Sequence, residues 1–143
     1  MITLNYSTTI NSSPEIVWKN LWGKESYKKW TAAFMEGSDV ETSWQEGERI
    51  AFLGPDNNGM FGIIAKKEEN KEMIFKHLGE IKNGVDEPKQ WKNATEGYRL
   101  TQKPEGTVVD VIVTMDDENK EFQTYFDDSF PKALTILKQL SEN

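Results

Sequence analysis

The sequence contains no cysteine and only one histidine, His77. Without thiols the chain forms no disulfide, thiolate metal site or cysteine nucleophile, and one imidazole does not build a multi-histidine zinc site. No apolar run approaches the roughly 20 residues that cross a bilayer, and the N-terminal residues lack the pattern of a signal peptide. We therefore expect no metal, no membrane insertion and a cytoplasmic location.

Positive charge is also scarce. The chain has 17 Lys and Arg against 24 Asp and Glu, for a formal net charge of −7. Nucleic-acid binding normally requires a basic surface that neutralises phosphates, so we do not expect this acidic chain to bind nucleic acid. The glycines at 59, 62 and 84 do not form a phosphate-binding loop, and we expect no cofactor. The length and composition fit one globular domain over residues 1–143.

Aromatic residues are abundant, with seven Phe, five Trp and four Tyr. Residues 2–10 alternate between apolar and polar side chains, which predicts a half-buried strand. The Ser-Ser-Pro string at 12–14 supplies a cap and a first turn for a short helix that ends at Gly23. Helical spacing of aromatic residues predicts a second short helix over 24–34.

A change to two-residue periodicity after position 37 predicts an antiparallel meander. Six strands follow, separated by turn residues, at about 39–45, 48–54, 60–67, 72–80, 95–103 and 107–115. The connection at 81–94 is unusually long, and loops of that length are either flexible or functional.

The last segment, Glu121 to Leu140, carries the clearest helical pattern of the chain. Pro131 lies inside it and is expected to kink or split the helix near Ser129–Phe130. The element order is β-α-α-β6-α, which predicts an α+β fold: a curved antiparallel sheet of about seven strands around the C-terminal helix.

This order resembles the helix-grip fold of the SRPBCC superfamily, which includes START and Bet v 1-like proteins. The strings at 13–18, 44–52, 59–62 and 130–134 are similar to that family's first helix, two hairpins and closing helix. The most similar branch is the AHSA-like homologues of the heat-shock-protein ATPase activator. The resemblance implies a cavity beneath the last helix or a protein-binding surface, and no catalytic signature is present.

Strand parity predicts which side chains face the last helix. In strand 72–80 the outer face carries Glu72, Lys76 and Glu80. The predicted inward residues are Val40, Thr42, Trp44, Ile50, Phe52, Met73, Phe75, His77, Gly79, Glu96, Tyr98, Leu100, Gln102, Val109, Val111, Val113 and Met115. Symmetric pairing about the long connection would place His77 opposite Tyr98 and Gly79 opposite Glu96.

The polar members of this inward set have two interpretations each. His77 is either a hydrogen-bonding or acid–base group paired with Tyr98 or Glu96, or a satisfied core histidine. We expect Glu96 to lie solvated at a frayed strand start, because an unpaired buried carboxylate is costly. Trp91 either covers a cavity mouth or anchors a surface loop. The acidic run 116–118 is interpreted as solvated charge.

The leading hypothesis is a module that binds a small apolar ligand with one or two polar atoms. The candidate ligand-binding residues are Trp30, Phe34, Trp44, Phe52, Phe75, His77, Glu96, Tyr98 and Phe126. The first alternative is a protein-interaction module like the heat-shock ATPase activator homologues. The second is an enzyme that uses His77 and Glu96 for proton transfer.

Overall fold

The computed structural model describes residues 1–143 as eight strands and three α-helices. The elements in chain order are β1 (Ile2–Ile10), α1 (Pro14–Trp22), α2 (Lys24–Thr31), β2 (Asp39–Thr42), β3 (Arg49–Leu53), β4 (Gly59–Glu68), β5 (Glu72–Lys82), β6 (Val85–Pro88), β7 (Thr95–Lys103), β8 (Gly106–Met115) and α3 (Phe122–Glu142).

All strand pairs are antiparallel, in the order β1-β8-β7-β5-β4-β3-β2, with β6 paired to one end of β5. Helix α3 packs against β1 and the two short helices, and its Phe130 stacks on Tyr6 at 4.8 Å between ring centroids. This is the predicted α+β helix-grip fold. None of the three helices has the length and apolar content needed to cross a membrane.

Local chemistry explains where the helices begin and end. The Ser13 hydroxyl accepts a hydrogen bond from the Ile16 backbone N–H at 3.3 Å, and Pro14 occupies the first turn of α1. A Cβ atom at Gly23 would lie 2.6 Å from the Lys19 carbonyl oxygen, so only glycine fits this close passage between α1 and α2.

Helix α3 is continuous across Pro131, so the predicted split near Ser129–Phe130 is wrong. Proline removes one backbone hydrogen bond from the helix. On both sides of it the helix buries core residues, among them Phe130, Ala133 and Leu137. Tertiary packing of that apolar stripe therefore outweighs the local break.

The predicted connection at 81–94 contains a further strand. Strand β5 continues to Lys82, and Asn83-Gly84, both with positive φ, form a tight turn into β6. The predicted register between β5 and β7 is also wrong by four residues, because Met73 lies opposite Tyr98 and Phe75 opposite Glu96. Residues 81–88, which a symmetric loop between β5 and β7 would have contained, instead form the end of β5, the turn and β6.

A β-bulge at Leu78 reverses the inward and outward faces at the end of β5. In the β4 pairing, His77 lies opposite Gly62 and Gly79 lies opposite Phe61, so Leu78 is the extra residue. The predicted outward position of Glu80 and inward position of Gly79 are therefore wrong. Ile81 joins a small apolar cluster on the outer face of the sheet with Ala51 and Phe61.

Strand β2 ends at Thr42, earlier than the predicted 45, because Trp44 takes a left-handed backbone conformation with φ of 61°. The chain turns there, and the Trp44 indole packs on Trp22 with 5.5 Å between ring centroids. Trp22 also contacts Phe75 at 5.4 Å and Tyr98 at 5.1 Å. These rings form the dense part of the core.

Candidate functional site

A cavity of about 340 Å³ lies between the sheet and the N-terminal half of α3. Its volume is within the range of about 300–1,000 Å³ that small-molecule sites occupy. Residues from α2, the β3–β4 hairpin, β5, β7, β8 and α3 form its wall. Most of its hydrophobic wall residues are aromatic, so the cavity suits a largely apolar occupant.

Seven of the nine residues predicted to bind a ligand line this cavity. They are Trp30, Phe34, Phe52, His77, Glu96, Tyr98 and Phe126. The other two, Trp44 and Phe75, do not reach it, because both pack against Trp22 in the solid core. The ligand-binding role of the seven residues stays a prediction.

Three polar side chains meet in the cavity wall. The Tyr98 hydroxyl donates a hydrogen bond to Glu96 Oε2, and Glu96 Oε1 lies 3.3 Å from His77 Nε2. The Glu96 side chain is 23% exposed and the His77 side chain 10%. Glu96 is thus paired inside the cavity, and the expectation that it lies solvated at a frayed strand end is wrong.

Sheet geometry brings these three groups together. Glu96 lies opposite Phe75 in the β5–β7 pairing. Tyr98 is two residues further along β7 and His77 two residues further along β5, so they lie on either side of Glu96 on the same inner face. The His77 backbone N–H donates to the carbonyl oxygen of Ala94, the residue before β7, at 2.8 Å. The backbone therefore fixes the imidazole beside the carboxylate.

The imidazole is held through one nitrogen only. Its Nδ1 atom is buried and has no hydrogen-bond partner in the chain, while Nε2 faces Glu96. A carboxylate beside a ring nitrogen orients the imidazole, as in many acid–base pairs. The contact meets the distance requirement of the proton-transfer hypothesis, although no reaction follows from this pair alone.

Two buried tyrosines keep their protons beside Glu96. Burial raises the pKa of Tyr98 well above its usual value, and the negative charge of Glu96 adds to the shift. Burial, followed by the charges of Glu96 and Asp39, also raises the pKa of Tyr27. Both phenols are therefore neutral hydrogen-bond donors over the whole physiological range.

Tyr27, Asp39 and Glu80 line the cavity, but none of them is among the predicted site residues. Tyr27 lies at helical spacing from Trp30 and Phe34, and this spacing could have placed it in the predicted site. The bulge at Leu78 hid Glu80, because parity counted across it places that side chain on the wrong face.

Trp91 lines the cavity from the segment between β6 and β7, which agrees with the first of its two interpretations. This segment is held by Asp116, whose carboxylate accepts hydrogen bonds from the backbone N–H groups of Lys92 at 2.9 Å and Asn93 at 3.1 Å. These hydrogen bonds lower the pKa of Asp116, and the one from Lys92 has the largest effect. The Asp116 carboxylate is therefore a buried structural group, which corrects its interpretation as solvated charge.

The outer edge of the cavity is apolar and exposed. Met35 is 53% exposed, Phe122 47% and Tyr125 41%, and all three also line the cavity. We call these three residues the rim. The structure contains no group of three or more His, Asp or Glu side chains placed to hold a metal ion.

Comparison with known proteins gives a family match over nearly the whole chain. The family model described as "Activator of Hsp90 ATPase homolog 1-like protein" matches residues 11–142. No curated protein matches the chain significantly.

Several solved structures share the fold. The Aha1 dimer from Colwellia psychrerythraea superposes with a TM-score of 0.77 at 21% identity, covering 99% of this chain and 97% of that one. A protein from Mesorhizobium loti gives 0.76 at 17% identity, with coverage of 97% and 96%. A protein from Cytophaga hutchinsonii gives 0.73 at 23% identity, with coverage of 100% and 95%.

Proposed function

Since the chain belongs to the family of Activator of Hsp90 ATPase homolog 1-like proteins, a family with the helix-grip fold, we propose that it binds a small, mainly apolar molecule in the cavity beneath α3. The observation that carries this proposal is the polar group of His77, Glu96 and Tyr98 in a wall whose apolar residues are mostly aromatic. Binding sites combine apolar area with a few convergent polar groups that orient the ligand.

The dense core gives a useful contrast. Around Trp22 the rings touch and leave no room, whereas around His77 the same sheet leaves about 340 Å³. An unused void of this size loses packing contacts on every side, which destabilises a fold. A ligand that fills the cavity recovers those contacts.

The test is a panel of lipophilic compounds added to ¹⁵N-labelled protein, with amide shifts recorded. We expect shifts at Trp30, Glu96 and Tyr98 for at least one compound. Ala94→Leu enlarges a residue of the cavity wall and should abolish these shifts. Ala65→Leu makes the same change at an exposed position and should retain them. If no compound moves inward residues, the proposal is wrong.

A second candidate is a protein-interaction module that acts on a heat-shock ATPase. The family description and the exposed rim of Met35, Phe122 and Tyr125 favour it. Adding the protein to an Hsp90 ATPase assay should then raise turnover, and Phe122→Ser should reduce the increase. Unchanged turnover together with no binding to Hsp90 would remove this candidate.

A further inference from the structure

The acidic side chains in the cavity lining have no basic lysine or arginine side chain beside them in that lining. They are the carboxylates of Asp39, Glu80 and Glu96. Cavities that bind fatty acids or other anions need a cation or several donors to neutralise the ligand. The lining here has carboxylates and neither lysine nor arginine, so it disfavours an anionic ligand.

The three carboxylates differ in their partners and depth. Asp39 lies 3.8 Å from the Lys28 ammonium, and Glu80 lies 3.2 Å from that of Lys89. Their side chains are 45% and 38% exposed, whereas that of Glu96 is 23% exposed. Glu96 is therefore the deepest carboxylate, and no lysine or arginine pairs with it.

Glu96 also has unused hydrogen-bonding capacity. A carboxylate has about four lone-pair sites, and the contacts with His77 Nε2 and the Tyr98 hydroxyl use one on each oxygen. The remaining sites and the exposed part of the side chain are open to a donor inside the cavity. A protonated amine supplies up to three donors and a positive charge at once.

The surrounding rings complete the match. Trp30, Tyr27 and Phe52 line the same cavity as Glu96, and the face of an aromatic ring attracts a cation within about 6 Å of its centroid. We propose that the cavity selects an organic cation, an apolar amine whose ammonium group binds Glu96 and whose hydrocarbon part lies among the aromatic rings. This inference rests on the proposed binding function.

The test compares three probes that share one apolar body: phenylbutylamine, phenylbutanol and phenylbutyrate. Each is titrated at neutral pH into the ¹⁵N-labelled wild-type protein, and affinities are taken from amide shifts of Glu96, Tyr98 and Trp30. We expect the amine to bind on the order of tenfold more tightly than the alcohol, and the carboxylate to bind most weakly.

A charge-matched pair of variants assigns the effect to one residue. Glu96→Gln should remove most of the amine's advantage in affinity over the alcohol, because the amide side chain carries no charge. Glu105→Gln removes the same charge at an exposed turn and should change neither affinity. The comparison of the three probes on the wild-type protein tests the preference for a cation, and it stands even if Glu96→Gln unfolds the protein.

The contrary outcomes are distinct. Equal or tighter binding of phenylbutyrate overturns the charge preference and leaves the binding function standing. An amine preference that survives in Glu96→Gln, or amine shifts confined to the outer surface, overturns the assignment to this carboxylate. If none of the three probes moves inward residues, the binding function itself is wrong.

Discussion

The two halves of α3 perform different tasks on the same sheet. Its C-terminal half is sealed, with Ala133 and Leu137 fully buried and Leu134 nearly so. Its N-terminal half carries Phe122 and Tyr125 at 47% and 41% exposure, over the cavity. One helix thus seals the core at one end and covers a cavity at the other.

The difference follows from what each half meets. The C-terminal half packs on α1 and β1, whose apolar side chains include Val17, Leu21 and Ile10, all fully buried. The N-terminal half lies over the cavity, whose wall contains the polar side chains of His77 and Glu96. The filled core therefore ends where the sheet carries these polar side chains.

The largest effect that tests this division is a pair of truncations in α3. Leu137→Ala should cost about 2–5 kcal/mol of unfolding free energy, because it leaves a hole in a filled core. Phe126→Ala removes a half-buried ring from the cavity wall and should cost about 1 kcal/mol. Denaturant unfolding at constant m-value measures both. Equal costs would mean that the two halves are packed alike.

A smaller effect comes from Tyr98, which touches Trp22 in the dense core and also lines the cavity. Tyr98→Phe removes the hydrogen bond to Glu96 and should cost about 1 kcal/mol at neutral pH. Burial, followed by the charge of Glu96, raises the pKa of Tyr98, so the folded state keeps a proton that the unfolded chain releases near pH 10.

The contribution of Tyr98 to the free energy of unfolding therefore falls as pH rises above about 10. Unfolding measured across that range should fall less steeply in Tyr98→Phe than in the wild type. Tyr125→Phe, at the exposed rim, is the matched control and should change the slope less. An identical slope in wild type and Tyr98→Phe would contradict the burial of this phenol.

The smallest effect concerns the segment that carries Trp91. Asp116→Asn weakens the hydrogen bonds to the Lys92 and Asn93 backbones, and hydrogen exchange at those two amides should become faster. Because the pKa of Asp116 is lowered, the wild-type link should persist in mild acid and fade only below about pH 4. Asp128→Asn, on the exposed side of α3, should leave both amides unchanged.

Most of the fold could be predicted from periodicity. The apolar stripe that includes Phe130 and Leu137 and the strict alternation in β1 and β8 each match a single element type, and the structure confirms them. The Ser-Ser-Pro string predicted the start of α1 because capping depends on adjacent residues only. Local signals succeed where the determining contacts are local.

The site was harder because its geometry depends on pairing across the sheet. The register that places Phe75 opposite Glu96 depends on the β5–β6 hairpin, although its Asn83-Gly84 turn was visible in the sequence. The pairing of Glu96 with His77 depends on that register, so parity alone left the carboxylate apparently solvated. Strand parity still placed His77 and Tyr98 on the correct face.

The extra residue at Leu78 has a consequence for how this strand tolerates a change of length. Deleting that one residue would restore regular alternation and still leave Glu80, which pairs with Met60, facing the cavity and Ile81 on the outer face. The interior would keep its carboxylate, and only the local bend of the strand would change. Relatives can therefore gain or lose one residue at this position without exchanging the side chains that line the cavity.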